Sequence, residues 1–317
     1  MIAPMNRRRF LSTTASVLAL PALRPRQTEA SPRTPTGIID THVHFYDPTR
    51  PQGVPWPDTN DKLLYRRILP NDFQQAAQGQ GVEGVIVVEA SKWFEDNQWV
   101  LEMADNDPFI VGFIGNVSPQ QPQFAAQLAR IVSHPLFQGL RIHTPSVGAD
   151  LKHFSEMDKV LETIARWDVL PQMLELAAAY PSQRIVLDHF PLDYGQSAEK
   201  HGEQRQLLKE LAQAPNIFLK ISNVLRKRGE ELVREPAAYT GALEALWELF
   251  GADRLVFGSN WPVSDRQGPY PVLVKVVSDF FAQKGPEAGH KYFCGNSRRI
   301  YRWTPRTEGQ KRLLASG

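Results

Sequence analysis

His42 and His44 stand two residues apart in the apolar run GIIDTHVHF at 37–45. Successive side chains of an extended segment point to opposite faces, so Ile38, Asp40, His42 and His44 are expected on one face and Ile39, Thr41, Val43 and Phe45 on the other. Two neutral imidazoles side by side at the end of a strand are good ligands for one zinc-like ion. Other apolar runs end in similar chemistry. Arg141 and His143 share a face in 138–144, His189 closes 184–190, and Lys220 and Ser222 share a face in 217–223. Glu89 ends 82–90, and Asn260 and Trp261 end the last such run. Burying polar groups unpaired is costly, so polar residues gathered at one end of most strands describe the lining of a polar pocket. Asp188 is expected to point away from that pocket, because its neighbour His189 takes the inward side. His134, His153, His201 and His290 fall in loops or helix ends and read as surface residues.

The elements that would carry these residues alternate. Short runs rich in Val, Ile, Leu and Phe, at 37–45, 82–90, 109–117, 138–144, 184–190, 217–223 and 254–260, are separated by helix-like stretches such as 124–131, 174–180, 204–212 and 239–250. Such alternation argues for βαβ units and a parallel sheet buried on both faces. A (β/α)8 TIM barrel needs roughly 250 residues and builds its active site at the C-terminal ends of its strands. The 317-residue chain has room for one. Seven strands are evident. Residues 156–166 and 170–180 both read as helices with only Trp167, Asp168 and Val169 between them. Either the fifth strand is deleted or distorted, or one of these helices is shorter than its pattern suggests.

Composition narrows the partners. Residues 1–36 carry Arg7, Arg8, Arg9, Arg24, Arg26 and Arg33 against Glu29 alone, so the net charge of +2 conceals a mildly acidic body. No basic stripe points to nucleic acid, and a small-molecule substrate is the expected partner. Cys294 is the single cysteine, so any metal must be held by His and carboxylate. Arg7, Arg8 and Arg9 followed by Phe10 and Leu11 precede a short apolar run, 12–23, and a polar spacer. This is the pattern of a twin-arginine export signal, too short for a comfortable membrane span, and predicts a periplasmic protein without stable membrane insertion. Residues 37–303 then form the barrel and 304–317 a C-terminal tail. The oligomeric state is left open.

The motifs DTHVHF at 40–45, GLRIH at 139–143, RIVLDHF at 184–190, LKIS at 219–222 and RLVFGSNWPVSD at 254–265, with GNSRRIY at 295–301, resemble the amidohydrolase-related group of the amidohydrolase superfamily. That group includes sugar lactonases, 2-pyrone-4,6-dicarboxylate lactonases and some decarboxylases. The resemblance implies a hydrolase of a lactone or similar cyclic ester, with His42 and His44 on a divalent ion, zinc or else manganese, or in metal-free members on the substrate, and with His189 completing the cluster. It implies that Arg141 grips a carboxylate or a polarised carbonyl; His143, Lys220 and Trp261, from their places at the strand ends, are expected toward the substrate. The family's last strand usually ends in an Asp that takes a proton from water; here Asn260 stands there. Asn is not a general base, so Asp265 or Glu89 is the expected replacement, unless a metal alone acidifies the water. Two alternatives accompany this reading: non-oxidative decarboxylation on the same site, and a barrel that binds without catalysis.

Overall fold

The structure, a computed structural model, describes residues 37–143, 149–189 and 198–315. The export-type segment 1–36 lies outside the described residues. Eight parallel strands follow one another in a single sheet in chain order. They are β1 (Ile38–Val43), β2 (Val82–Val88), β3 (Ile110–Gly115), β4 (Phe137–Arg141), β5 (Val160–Ile164), β6 (Arg184–Asp188), β7 (Ile217–Ile221) and β8 (Leu255–Phe257). The chain just beyond β8 returns to β1. The Asn260 amide donates to the His42 carbonyl (2.8 Å) and the His44 amide to the Trp261 carbonyl (2.9 Å). The architecture is a (β/α)8 barrel, with helices such as α1 (Pro70–Ala76), α2 (Glu95–Asn106) and α3 (Phe124–Ile131) in the crossovers. No helix among the described residues is long and apolar enough to cross a membrane.

The fifth strand is present, which corrects the expectation of a deletion. Met157, Val160, Leu161, Ile164 and Ala165 follow the i, i+3, i+4, i+7, i+8 spacing of an amphipathic helix. The same residues form a strand instead, because β4 and β6 offer hydrogen-bonding edges on both sides. Gly139 to Arg141 pair with Val160 to Glu162, and Val160 to Ile164 pair with Arg184 to Asp188. Gly139 permits the close approach, since a Cβ there would lie 2.1 Å from the Val160 carbonyl oxygen. The preceding helix, α4, is shorter and earlier, at Ala149–Ser155, and α5 runs over Leu170–Ala179.

The strict alternation expected along β1 also fails at its start. Ile39 packs inside the ring with Ile86, Val111, Val160, Val186 and Val256. Asp40 turns the other way and accepts a hydrogen bond from Tyr270 (3.1 Å) on the helix Tyr270–Lys284. A register shift against β2 falls between Asp40 and Val43, and after it His42 and His44 face inward while Val43 and Phe45 join the outer core. Below the ring, Trp303 and Tyr301 complete the inner cluster. The 304–317 segment carries a helix, Glu308–Ala315, whose buried Gln310 donates to the carbonyls of Glu83 (3.0 Å) and Pro108 (2.9 Å).

Candidate active site

A cleft of about 400 Å³ opens at the C-terminal ends of the strands, lined in part by His44, Trp56, Glu89, Arg141, His189 and Asn260. Two of these residues end their strands in the left-handed backbone region, His189 at φ 71° and Asn260 at φ 65°. That conformation is uncommon for residues other than glycine. Here it interrupts strand alternation, so that consecutive side chains reach the pocket side. Asp188 therefore does not lie among the helices as expected. It is fully buried beneath the cleft, while His189 still lines it.

The imidazoles of His42, His44 and His189 converge, with ring centroids 4.9 Å apart for His42–His44 and 4.8 Å for His42–His189. The Nδ1 of His44 donates to the Val88 carbonyl (3.0 Å). Its Nε2 then carries the lone pair, 3.2 Å from the amide oxygen of Asn260. Two acceptors do not bond, so this contact is a hydrogen bond only with the Asn260 amide turned over, its N–H toward the ring nitrogen. At His189, Arg141 Nη2 lies 3.5 Å from Nε2 and Ser222 Oγ 3.0 Å from Nδ1. A guanidinium only donates, so Nε2 is the acceptor and Nδ1–H donates to the hydroxyl. His42 has its Nδ1 between Asp188 (3.5 Å) and Lys220 (3.4 Å), and its buried Nε2 has no hydrogen-bond partner among the described residues. Burial lowers the pKa of all three rings: His42 well below the ordinary value, His44 with help from Arg141, and His189 to about 3 despite the opposing pull of Asp188. Three neutral, converging rings held at Nδ1, those of His44 and His189 lining the cleft and that of His42 just beneath it, make a donor set suited to zinc-like ions.

Arg141 is the hinge between cleft and floor. Its Nε lies 3.0 Å from Asp188 and its Nη1 3.6 Å from Glu89. Glu89 also meets His143 Nε2 at 3.1 Å and accepts the Ser91 amide at 3.1 Å. Under the floor, Lys220 Nζ donates to Glu162 (2.8 Å) and lies 3.1 Å from Asp188, with all three side chains inaccessible to solvent. Tyr301 donates to Glu162 at 2.5 Å. Burial and the nearby Asp188 push Glu162 up to about 7. Burial alone would raise Asp188 too, but Lys220, His42 and Arg141 hold it well below the carboxylate range. Gly258 makes this crowding feasible, because a Cβ there would meet His42 Cβ at 2.8 Å and Lys220 Cδ at 2.9 Å. His42, Glu162 and Asp188 bring ligand atoms within 4.8 Å of one another, a spacing that suits a metal ion.

Of the residues expected at the site, His44, Glu89, Arg141, His143, His189 and Asn260 line the cleft. His42 and Lys220 sit beneath it, fully buried. Trp261 packs into the core against Phe73, with ring centroids 5.4 Å apart. Asp265 lies on a short 3-10 turn, Val263–Arg266, where burial raises its pKa against the influence of Arg66 and Trp261, and it is not among the lining residues. Glu162 escaped the sequence reading because its strand looked helical, and a charge on a helix is unremarkable. The signal available was Val160, Thr163 and Ile164, β-branched residues around a lone carboxylate.

The family model described as amidohydrolase matches residues 39–303. The chain belongs to the amidohydrolase family. An L-fucono-1,5-lactonase of Burkholderia ambifaria is 29% identical over 291 residues, covering 83% of this chain and 95% of that protein. Among solved structures, an amidohydrolase from Burkholderia multivorans with bound zinc superposes with a TM-score of 0.69 at 23% identity, covering 84% of this chain and 99% of that one. A 2-pyrone-4,6-dicarboxylic acid hydrolase homologue from Pseudomonas putida does so at 0.63 and 20% identity, covering 84% and 97%. The barrel fold is thus shared with these two solved structures over nearly their whole length.

Proposed function

We propose that this amidohydrolase hydrolyses a lactone or similar cyclic ester of a small polar acid. The observation that carries the reading is the set of three converging imidazoles beside Arg141, two lining the cleft and one directly beneath it. The similarity to an L-fucono-1,5-lactonase supports the choice of substrate class. The orphaned Nε2 of His42, next to the Nε2 lone pairs of His44 and His189, fits a divalent ion, zinc or else manganese, which would take those lone pairs over from Asn260 and Arg141. When bound there, such an ion supplies Lewis acidity for a carbonyl oxygen and lowers the pKa of water.

The remaining work falls to the protein. Arg141 presents a planar fork of donors to the carbonyl oxygen or a neighbouring carboxylate, and stabilises the charge that develops there. Asn260 orients through its amide and takes no proton. Asp188 is fully buried beneath the cleft and engaged by Lys220 and Arg141, so it is not placed to take a proton from water in the cleft. Glu89, which lines the cleft, accepts the proton of the attacking water. Water adds to the carbonyl carbon, the ring C–O bond breaks, and the departing alkoxide takes the proton held by Glu89, which regenerates the carboxylate and leaves a hydroxy acid that releases a proton at neutral pH.

A panel of sugar lactones followed by pH drop, with and without added Zn2+ or Mn2+, tests this. Turnover of at least one lactone well above its spontaneous hydrolysis is expected. No turnover under any metal condition refutes it, and CO2 release from aromatic or unsaturated acids would instead favour decarboxylation. We also propose that residues 1–36 direct export to the periplasm, on the strength of the Arg7–Arg8 pair and the apolar run that follows.

A further inference from the structure

The buried cluster under the cleft already contains a cation. Lys220 Nζ lies 2.8 Å from Glu162, 3.1 Å from Asp188 and 3.4 Å from His42 Nδ1, and 5.6 Å from the Tyr301 ring centroid. These are the same three groups whose ligand atoms lie within 4.8 Å of one another. A divalent ion bound by them would occupy the volume of the ammonium and repel its charge.

We propose that Lys220 is the resident cation of the His42–Glu162–Asp188 cluster. It closes that cluster to divalent ions, so that the barrel takes a metal ion at the imidazole tips and not a pair of ions. Only the location of the ion at the tips rests on the functional reading above; the closure of the deeper cluster stands on contacts of Lys220 alone. The chemistry is consistent on both sides of the exchange. A fully buried ammonium is tolerated only when paired, and two carboxylates and a ring face surround this one. Without it, the Glu162 and Asp188 carboxylates remain facing one another beside His42 with a deficit of positive charge. Zinc accepts carboxylate oxygens, and water completes the set where the single lone pair of His42 already serves the tips. Gly258 belongs to the same device, since any side chain there would collide with the stem of Lys220.

The test is metal stoichiometry. Parent, Lys220→Ala and the double variant Lys220→Ala/Glu162→Gln are equilibrated with Zn2+, desalted and analysed for zinc per chain. Lys220→Ala is expected to hold about one equivalent more than the parent, and the double variant to return to the parental level. A folded Lys220→Ala with the parental zinc content overturns the proposal, as does an excess that persists in the double variant. Should Lys220→Ala fail to accumulate, Lys220→Gln replaces it, and the readout becomes the rise in Tm given by Zn2+ over EDTA. A rise larger than the parent's supports the proposal, and an equal rise overturns it. Because the readout is a difference from the parent, a parent holding no ion and a parent holding one serve equally. Failure of lactone turnover bears only on the proposed activity.

Discussion

Replacement of Arg141 separates its roles in substrate binding and in holding the floor. The side chain is 6% exposed and reaches Asp188 through Nε, Glu89 through Nη1 and His189 through Nη2. Arg141→Lys keeps the charge, but one ammonium does not serve three directions at once. Loss of one hydrogen bond to a charged group costs about 1.5–3 kcal/mol, or about 10- to 150-fold in kcat/KM. Arg141→Met removes the donor that faces the developing oxyanion, worth about 2.7–4 kcal/mol or a 100- to 1,000-fold loss. It also strips Asp188 of a partner. Breaking a buried pair costs about 3–5 kcal/mol of stability, and the low end applies here because Lys220 still holds that carboxylate. A pH-stat assay on the best lactone gives kcat/KM, and urea unfolding gives the stability change. The reasoning fails if Arg141→Met stays within about threefold of the parent in kcat/KM while losing the expected stability, because Arg141 would then be purely structural.

Glu89→Gln is expected to lower kcat about 100-fold with little change in KM, measured on the same lactone; an unchanged kcat places the base elsewhere. His189 has an ordinary pKa of 6.5 and about 3 in the fold, so unfolding takes up a proton as pH drops below the first value. Its contribution to stability is intact above pH 6.5 and is lost progressively toward pH 3, by about 2 kcal/mol at pH 5. In EDTA, His189→Gln should therefore lose about 2 kcal/mol less than the parent between pH 7 and pH 5; parallel losses would contradict the assignment. Replacing Arg7 and Arg8 together by Lys should leave a reporter fused to residues 1–36 in the cytoplasm, whereas undiminished periplasmic reporter argues against twin-arginine export.

Local patterns in the chain were enough for the alternating architecture, seven of the strands, and the convergence of His42, His44 and His189 with Arg141 at one rim. Burial on both faces forces a parallel strand to be apolar throughout, and the active end of each strand then stands out as the place where polar residues begin. The export-type segment is likewise read from sequence alone.

Tertiary structure decided what local periodicity leaves degenerate. Apolar residues at 157, 160, 161, 164 and 165 satisfy a helix as well as they satisfy a strand, and only the free edges of β4 and β6 choose between them. That choice brought Glu162 into the interior and closed the ring. The facing of Asp40 and Asp188 was equally nonlocal, because a register shift in β1 and a left-handed residue at 189 interrupt the two-residue alternation. The cluster of Lys220, Glu162, Asp188 and His42 joins side chains from β7, β5, β6 and β1 around one point. No stretch of sequence encodes it, since the attraction that assembles it acts through space, between strands that become neighbours only once the barrel has closed.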